Sequence, residues 1–505
     1  MLAQDPVGQG ERYSYYEPLI ETTTVCQNVT EHDYAGSQCF PLGDSIARYF
    51  LHDSIRSLDY LCSRPEVDPD KIGITGCSGG GTQSMLLMLS GDKRVSCAAP
   101  ATFVMNRELN MYTGMAQDSE QIWQGLTALG LDHEDAMIMM VPRPTLVLAA
   151  KYDYFPIEGT RSTVNRTRRF WELYGKTDNL ELFEDDTPHT YTVGMAKKVS
   201  EFFALHLLGT EITASYDDIK PLRPEELNCT KTGQVRGDIP DSDFVFEENL
   251  KRLSEVEAQR YNLSEDEYKK RAMNWLYKTV YYNRIPCDSN PRHFETYIFN
   301  DLLIKNSMWW THEGIANYAV TFRDFKYKDE KLPVTIALWE GGTTKLSDNL
   351  KWIRKICASK RAVMVLDIVA NGKTIPVNVM WPDQLDFYGT LFKLNHDLIW
   401  LGDSLAAMRV YDVVRAVDII NEINDLSNDD TQIFALGSYC VYAGLASALN
   451  NKIKNVESWG WYESYKEWIG SRYYDHYNIM SIVLPGMLQY FDLPDLEKFK
   501  ELGID

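Results

Sequence analysis

Between Asp70 and Thr82 the chain reads Asp-Lys-Ile-Gly-Ile-Thr-Gly-Cys-Ser-Gly-Gly-Gly-Thr, and inside it Gly76-Cys77-Ser78-Gly79-Gly80 has the pattern G-x-S-x-G. Lys71 to Thr75 predicts a short buried strand, and Thr82 to Ser90 (TQSMLLMLS) predicts the opening of a helix. A strand, a tight turn and a helix in that order push a serine hydroxyl out above a sheet edge. Only glycine leaves room for the backbone crowded on either side of such a turn.

The neighbouring segments alternate strand and helix. Leu42 to Leu61 has apolar residues at helical spacing and leads through Pro65 and Pro69 into the strand that carries the turn. Val95 to Pro100 and Thr145 to Ala150 predict two further strands, Arg161 to Tyr174 a helix, Leu180 to Phe183 a strand and Val193 to Leu208 a closing helix. Such alternation implies an α/β fold, a mostly parallel sheet with helices on both faces. Glu11 to Pro41 reads as loop-rich. Met1 to Asp5 reads as the inner end of a strand running into a turn at Gly8 and Gly10, as though a longer protein preceded it. The insert Ala101 to Val141, with its Met and Asn residues, is expected over the site as a partial lid.

At 505 residues the chain exceeds what one core organises, so two domains or more are expected. A polar stretch with Pro221, Pro224 and Pro240 places a linker at 210–243, between modules at 1–209 and 244–505. In the second module helices are predicted near Phe244 to Tyr261 and after Ser264, which forms a capping box with Glu267. Strand alternation follows at 294–325, around Glu313-Gly314.

The net charge of −21 speaks against a nucleic-acid partner, which requires clustered Lys and Arg. No apolar run approaches the roughly 18 residues that span a bilayer, so a soluble chain without a membrane partner is expected. Nine cysteines without CxxC spacing indicate neither a zinc site nor a disulfide framework, and a Cys26–Cys39 pair is left open. No signal-peptide pattern opens the chain, and compartment and oligomeric state are not addressed by these residues.

The second half repeats the first. Leu42-Gly43-Asp44-Ser45 recurs as Leu401-Gly402-Asp403-Ser404, and eight of 20 positions are identical between 42–61 and 401–420. Unrelated segments would share about one or two. The offset stays near 360, from Asp5 with Asp367 to Gly76 with Gly437, which implies a tandem duplication much longer than a solenoid period. Where the first copy has Gly76-Cys77-Ser78-Gly79-Gly80, the second has Gly437-Ser438-Tyr439-Cys440-Val441. With tyrosine at the serine position, the second copy is expected to be catalytically silent.

Cleavage of an ester or amide by serine needs a base for the hydroxyl proton, an acid to orient that base, and donors for the oxyanion. With this kind of turn the chain order is Ser, then Asp or Glu, then His, each at the carboxyl end of a strand. Asp153 follows Thr145 to Ala150, and His189 follows Leu180 to Phe183. Ser78, Asp153 and His189 are therefore the expected nucleophile, acid and base, with the backbone N–H of Gly79 as one oxyanion donor.

Plainer readings stand beside these. Asp153 could be a solvated turn carboxylate, with Glu158 as its rival, and His189 an exposed loop histidine. Asp185 and Asp186 read as loop-capping or solvated, and Met105, Met111, Met115 and the run Met137 to Met140 as packing. His32 has no carboxylate or histidine partner at supportive spacing, so no metal and no cofactor are expected. The second oxyanion donor normally comes from a loop after an earlier strand, which would lie upstream of Met1. Losing one donor costs roughly 3–4 kcal/mol of transition-state stabilisation, so weak activity is expected of the chain as given.

Asp5-Pro6-Val7-Gly8-Gln9-Gly10-Glu11-Arg12, Thr30-Glu31-His32-Asp33-Tyr34-Ala35-Gly36, Arg64-Pro65-Glu66-Val67-Asp68, Gly76 to Thr82 and Asp153-Tyr154-Phe155-Pro156-Ile157-Glu158-Gly159 resemble the acetyl xylan esterase-like α/β-hydrolases. These are bacterial proteins related to the dienelactone hydrolase and cephalosporin deacetylase groups. The resemblance covers Met1 to about Gly209 closely and the remainder as a degenerate second module. It implies an α/β-hydrolase-type fold in two tandem copies and a Ser78, Asp153 and His189 esterase that works through an acyl-enzyme. Its substrate would be a small-molecule or polysaccharide ester, foremost the acetyl groups of plant polysaccharide. One alternative is a serine peptidase of the prolyl-oligopeptidase type, although no repeated propeller blade of about 40 to 50 residues is present. The other is a non-catalytic carbohydrate-binding or scaffold protein.

Overall fold

The computed structural model describes every residue except 114, 218, 378–384, 424, 461–462 and 500–505. The chain divides into two compact units. The first comprises Met1–Gly36, Ser45–Glu247 and Ile399–Gly402, and the second Ser37–Asp44, Glu248–Leu398 and Asp403–Asp505. The stretch 210–243, expected as a linker, is counted with the first unit and carries single-turn helices at Pro224–Leu227 and Val235–Asp238.

In the first unit, helix α1 (Val29–Cys39), whose last three residues are counted with the second unit, and helix α2 (Ala47–Cys62) precede strand β1 (Ile72–Cys77), helix α3 (Gly79–Ser90) and strand β2 (Val95–Ala101). Strand β3 (Thr145–Ala150), helix α4 (Ile157–Leu173), strand β4 (Leu180–Asp185) and helix α5 (Val193–Phe203) follow. The four strands form one parallel sheet in the order β1-β2-β3-β4. Every residue of β3 is buried, as a strand covered on both faces requires. Its side chains alternate between two cores, because successive residues of a strand point to opposite faces. Val147 packs with Met85, Leu87 and Trp171, whereas Leu146 and Leu148 pack with Met195, Val199 and Phe202.

Helix α4 turns a stripe of Thr160, Thr163, Val164, Thr167 and Trp171 inward at helical spacing. Its buried hydroxyls are satisfied, Thr160 donating to the Val104 carbonyl at 2.6 Å and Thr163 to that of Met105 at 2.9 Å. Within the insert after β2, Met105, Met137 and Met140 are fully buried in the core beside α3. Gly114, in the same insert, lies outside the described residues.

Two expectations are corrected. Residues 1–5 are not a strand, and Gln4 instead bonds Ser57 at 2.6 Å and Gln83 at 3.2 Å. The loop-rich region 11–41 contains α1. Its helical pattern is masked because the residues it buries include Glu31, His32 and Asp33, all at most 1% exposed, so apolar periodicity does not mark its inner face.

The second unit opens with helices α6 (Val245–Tyr261) and α7 (Glu265–Tyr281), the latter started by Ser264, whose hydroxyl bonds Glu267 at 2.6 Å. Strands β5 (Arg292–Phe299), β6 (Leu302–His312), β7 (Ile315–Asp324) and β8 (Leu332–Leu338), helix α8 (Leu346–Ala358) and strand β9 (Ala362–Asp367) follow. Helix α9 (Leu405–Ile420), strand β10 (Leu426–Leu436), helix α10 (Tyr439–Leu449) and strand β11 (Ile453–Trp459) complete the sheet, whose order is β11-β10-β8-β9-β7-β6-β5. β8 pairs in parallel with both β9 and β10, and β6 and β7 form an antiparallel hairpin at Gly314 (φ 79°). The molecule is thus of mixed α/β class, with parallel strands and helices in each unit. Among the described residues no helix is long and apolar enough to cross a membrane, and all nine cysteines are free.

Candidate active site

β1 ends at Cys77 and α3 begins at Gly79, leaving Ser78 alone between them. Ser78 has φ 57° and ψ −115°, a conformation that costs a non-glycine residue about 1–3 kcal/mol and that collects at functional turns. Close approach explains Gly76 and Gly81, whereas a Cβ on Gly79 or Gly80 would meet open space or a single atom at 4.0 Å. A Cβ on Gly76 would lie 2.5 Å from the Gly80 backbone, and one on Gly81 would lie 2.6 Å from the Ala101 carbonyl oxygen. The Ser78 N–H is held by the Ala101 carbonyl and the Thr102 hydroxyl, both at 3.1 Å. Ser78 thereby sits at the positive end of the α3 dipole.

Asp153 sits in the loop after β3 and His189 in the loop after β4, adjacent parallel strands that end side by side. The His189 Nδ1 lies 3.0 Å from Asp153 Oδ1 and 2.9 Å from Oδ2. The Asp153 side chain is 2% exposed and that of His189 21%, so the pair is shielded while one edge of the ring reaches solvent. The Phe155 N–H donates to Asp153 Oδ1 at 3.1 Å and sets the carboxylate's rotation. The two loops are tied by Lys151 N–H to the Asp185 carbonyl at 2.9 Å and Tyr152 N–H to the Thr187 carbonyl at 3.1 Å. Asp185 accepts the Thr192 hydroxyl, Asp186 pairs with Lys151 at 2.7 Å, and Glu158 is exposed in the first turn of α4.

Residues not singled out from the sequence complete the site. The Tyr154 ring lies 4.4 Å from that of His189, and its phenol interacts with the Ser78 side chain. Although Tyr154 is 40% exposed as a residue, desolvation at its hydroxyl pushes the phenol up to about 12, against the opposing pull of that Ser78 contact, so it keeps its proton throughout the neutral range. Its position immediately after Asp153 is the one signal that could have marked it. Glu120 is fully buried, and its Oε1 would lie 4.0 Å from a Cβ on Gly79.

The corresponding turn of the second unit is built differently. The positive φ falls on Gly437 (59°), whereas Ser438 (φ −56°) is already helical. Tyr439 opens α10, is 2% exposed, and has the Arg409 guanidinium 5.6 Å above its ring.

No family model matches the chain, and no curated protein does. Carbohydrate esterases are among the solved structures it is similar to. A protein from Bacteroides fragilis designated an acetyl xylan esterase is 10% identical, with a TM-score of 0.38 over 55% of this chain and 78% of its own. Acetyl xylan esterase 1 of Thermoanaerobacterium is 15% identical, with a TM-score of 0.31 over 46% and 74%. A glucuronoyl esterase of Caldicellulosiruptor kristjansonii is 16% identical, with a TM-score of 0.29 over 35% of this chain and 55% of its own.

Proposed function

We propose that the first unit is a serine esterase that cleaves carboxylic esters, foremost acetyl groups on plant polysaccharide, through an acyl-enzyme on Ser78. The observation that carries this reading is the shielded Asp153–His189 pair at the ends of adjacent strands, with Tyr154 against the His189 ring and in contact with the Ser78 side chain at its strained turn. Asp153 accepts the Nδ1–H of His189, leaving Nε2 bare as the base. As Ser78 Oγ forms its bond to the acyl carbon, Nε2 takes the hydroxyl proton and the carbonyl oxygen becomes an oxyanion. The Gly79 N–H, at the start of α3, donates to that oxyanion. Collapse breaks the ester bond, and the leaving alkoxide takes the proton from His189. Water, deprotonated by the same nitrogen, then releases the acid from Ser78. The sugar-ester preference rests on the sequence resemblance. The buried, helical Tyr439 supports a second unit without a nucleophile, read here as a degenerate copy of the first.

The test is labelling of the full chain with a fluorophosphonate, beside hydrolysis of p-nitrophenyl acetate and release of acetate from acetylated xylan. One label at Ser78 and loss of both activities in Ser78→Ala are expected. A Ser78→Ala protein that hydrolyses acetyl esters at the original rate overturns the proposal. Preference for a proline-containing peptide over acetylated xylan would move the assignment to a peptidase.

A further inference from the structure

We propose that His32, Asp118 and Glu120 form a binding site for one divalent cation behind the Ser78 turn, on the side of Gly79. One nitrogen and two carboxylate oxygens, all within 4.8 Å of one another, come together here from α1 and from the short turn Ser119–Gln121. Ligand atoms around one ion at about 2.1 Å lie roughly 3–4 Å apart, so a small carboxylate rotation closes the set.

The histidine is set up to ligate. His32 Nε2 is 2.7 Å from the Val7 carbonyl oxygen, and because a carbonyl can only accept, that nitrogen carries the hydrogen. Nδ1 is left facing Glu120 Oε2 at 3.2 Å. A ring that gives one N–H to a backbone carbonyl and turns its other nitrogen to a carboxylate is oriented as metal-binding histidines are.

The carboxylates point the same way. Glu120 is fully buried; its Oε1 meets no N–H or O–H donor among the described residues, and its side chain lies within hydrogen-bonding reach of the Asp118 carboxyl. Asp118 occupies the cap position of the Ser119–Gln121 turn, yet its side chain does not cap it. Asp33 adds a further buried negative charge beside Asp118, and its Oδ1 accepts the N–H and hydroxyl of Ser119 at 2.9 and 2.8 Å. Glu31, also fully buried, acts on the same imidazole.

Carboxylates outnumber cations in this region, an arrangement expensive to bury unless a positive charge joins it. An imidazole with two carboxylates suits Mn²⁺ or Zn²⁺, water completing the shell. This inference does not depend on the esterase reading.

The probe is Mn²⁺, a hard ion for which the free thiols compete poorly. The full chain, stripped with EDTA and dialysed, is titrated while the electron paramagnetic resonance signal of free Mn²⁺ is followed. About one ion per chain is expected to be held, at least tenfold more tightly than by Asp118→Asn or Glu120→Gln. In wild-type protein with labelled histidines, the first equivalent should broaden His32 before the other histidines, a readout that needs no variant to fold. Absence of a saturable site, equal binding by the folded variants, or broadening that begins at another histidine overturns the proposal.

Discussion

Replacing Asp153 with Asn tests the proposed chemistry most sharply. The Phe155 N–H donates to Oδ1 at 3.1 Å, so an Asn side chain at 153 keeps its carbonyl oxygen on that bond and turns its NH₂ toward His189. The NH₂ would occupy the place of Oδ2, now 2.9 Å from Nδ1, and an NH₂ can only donate. With Oδ1, 3.0 Å from Nδ1, engaged by the Phe155 N–H and the NH₂ in place of the nearer oxygen, the favoured tautomer accepts at Nδ1 and carries its proton on Nε2, the nitrogen that has to be bare to receive the Ser78 proton. The side chain at 153 is 2% exposed, so little water is present to relieve the mismatch. A wrong tautomer in such a triad lowers kcat about 10⁴-fold, or about 5 kcal/mol of transition-state stabilisation. KM should be nearly unchanged, because Asp153 acts through His189. Steady-state hydrolysis of p-nitrophenyl acetate by wild type, Asp153→Asn and the exposed-carboxylate control Glu158→Gln reads this out, with circular dichroism to establish folding. An Asp153→Asn enzyme that keeps more than a tenth of wild-type kcat, or an equal loss in Glu158→Gln, refutes the reasoning.

Tyr154→Phe removes the hydroxyl that meets Ser78 but keeps the ring against His189, and a loss of about tenfold in kcat is expected, the worth of one hydrogen bond. Gly76→Ala places a Cβ 2.5 Å from the Gly80 backbone, so a destabilisation of roughly 1–3 kcal/mol with slower fluorophosphonate labelling is expected from urea unfolding and label kinetics. In the second unit burial lifts Asp412 to about 6, although it accepts bonds from Asn317 and the Val369 N–H. The native state therefore holds a proton that the unfolded chain, titrating near 3.9, releases, and Asp412 costs stability progressively as pH rises from about 4 to about 6. Relative to wild type, Asp412→Asn should gain stability across that window, up to roughly 3 kcal/mol at pH 7, and parallel urea midpoints at pH 4 and 7 would contradict this.

Much of the fold and of the proposed chemistry was legible because it is written locally. The strand–turn–helix around Ser78 follows from a short apolar run, three successive glycines and a Met/Leu-rich stretch, and β3 was readable as an unbroken buried run from Thr145 to Ala150. Asp153 and His189 were placed by chain order and by their position after strands, and the loops do bring them within 3 Å. Helix α1 was not legible, because Glu31, His32 and Asp33 are buried by polar partners and the hydrophobic period that reveals most helices is absent. Tyr154 was passed over because a tyrosine after a strand carries no chemical signature until its hydroxyl meets another group.

The sequence by itself determined the alternating α/β class, the G-x-S-x-G turn, and the order of Ser78, Asp153 and His189 along the chain. Those features rest on nearest-neighbour sterics and on periodicity, which act over a few residues and can be read along a line. Tertiary structure alone decided that His32 faces Glu120, a residue 88 positions away, with Asp118 beside it and a buried carboxylate oxygen left over. Spacing argued against a metal ligand at His32, since ligands on distant segments have no spacing to recognise. Burial also raised the cost of leaving their charges unmatched, and burial is a property of the packed chain that no local pattern contains.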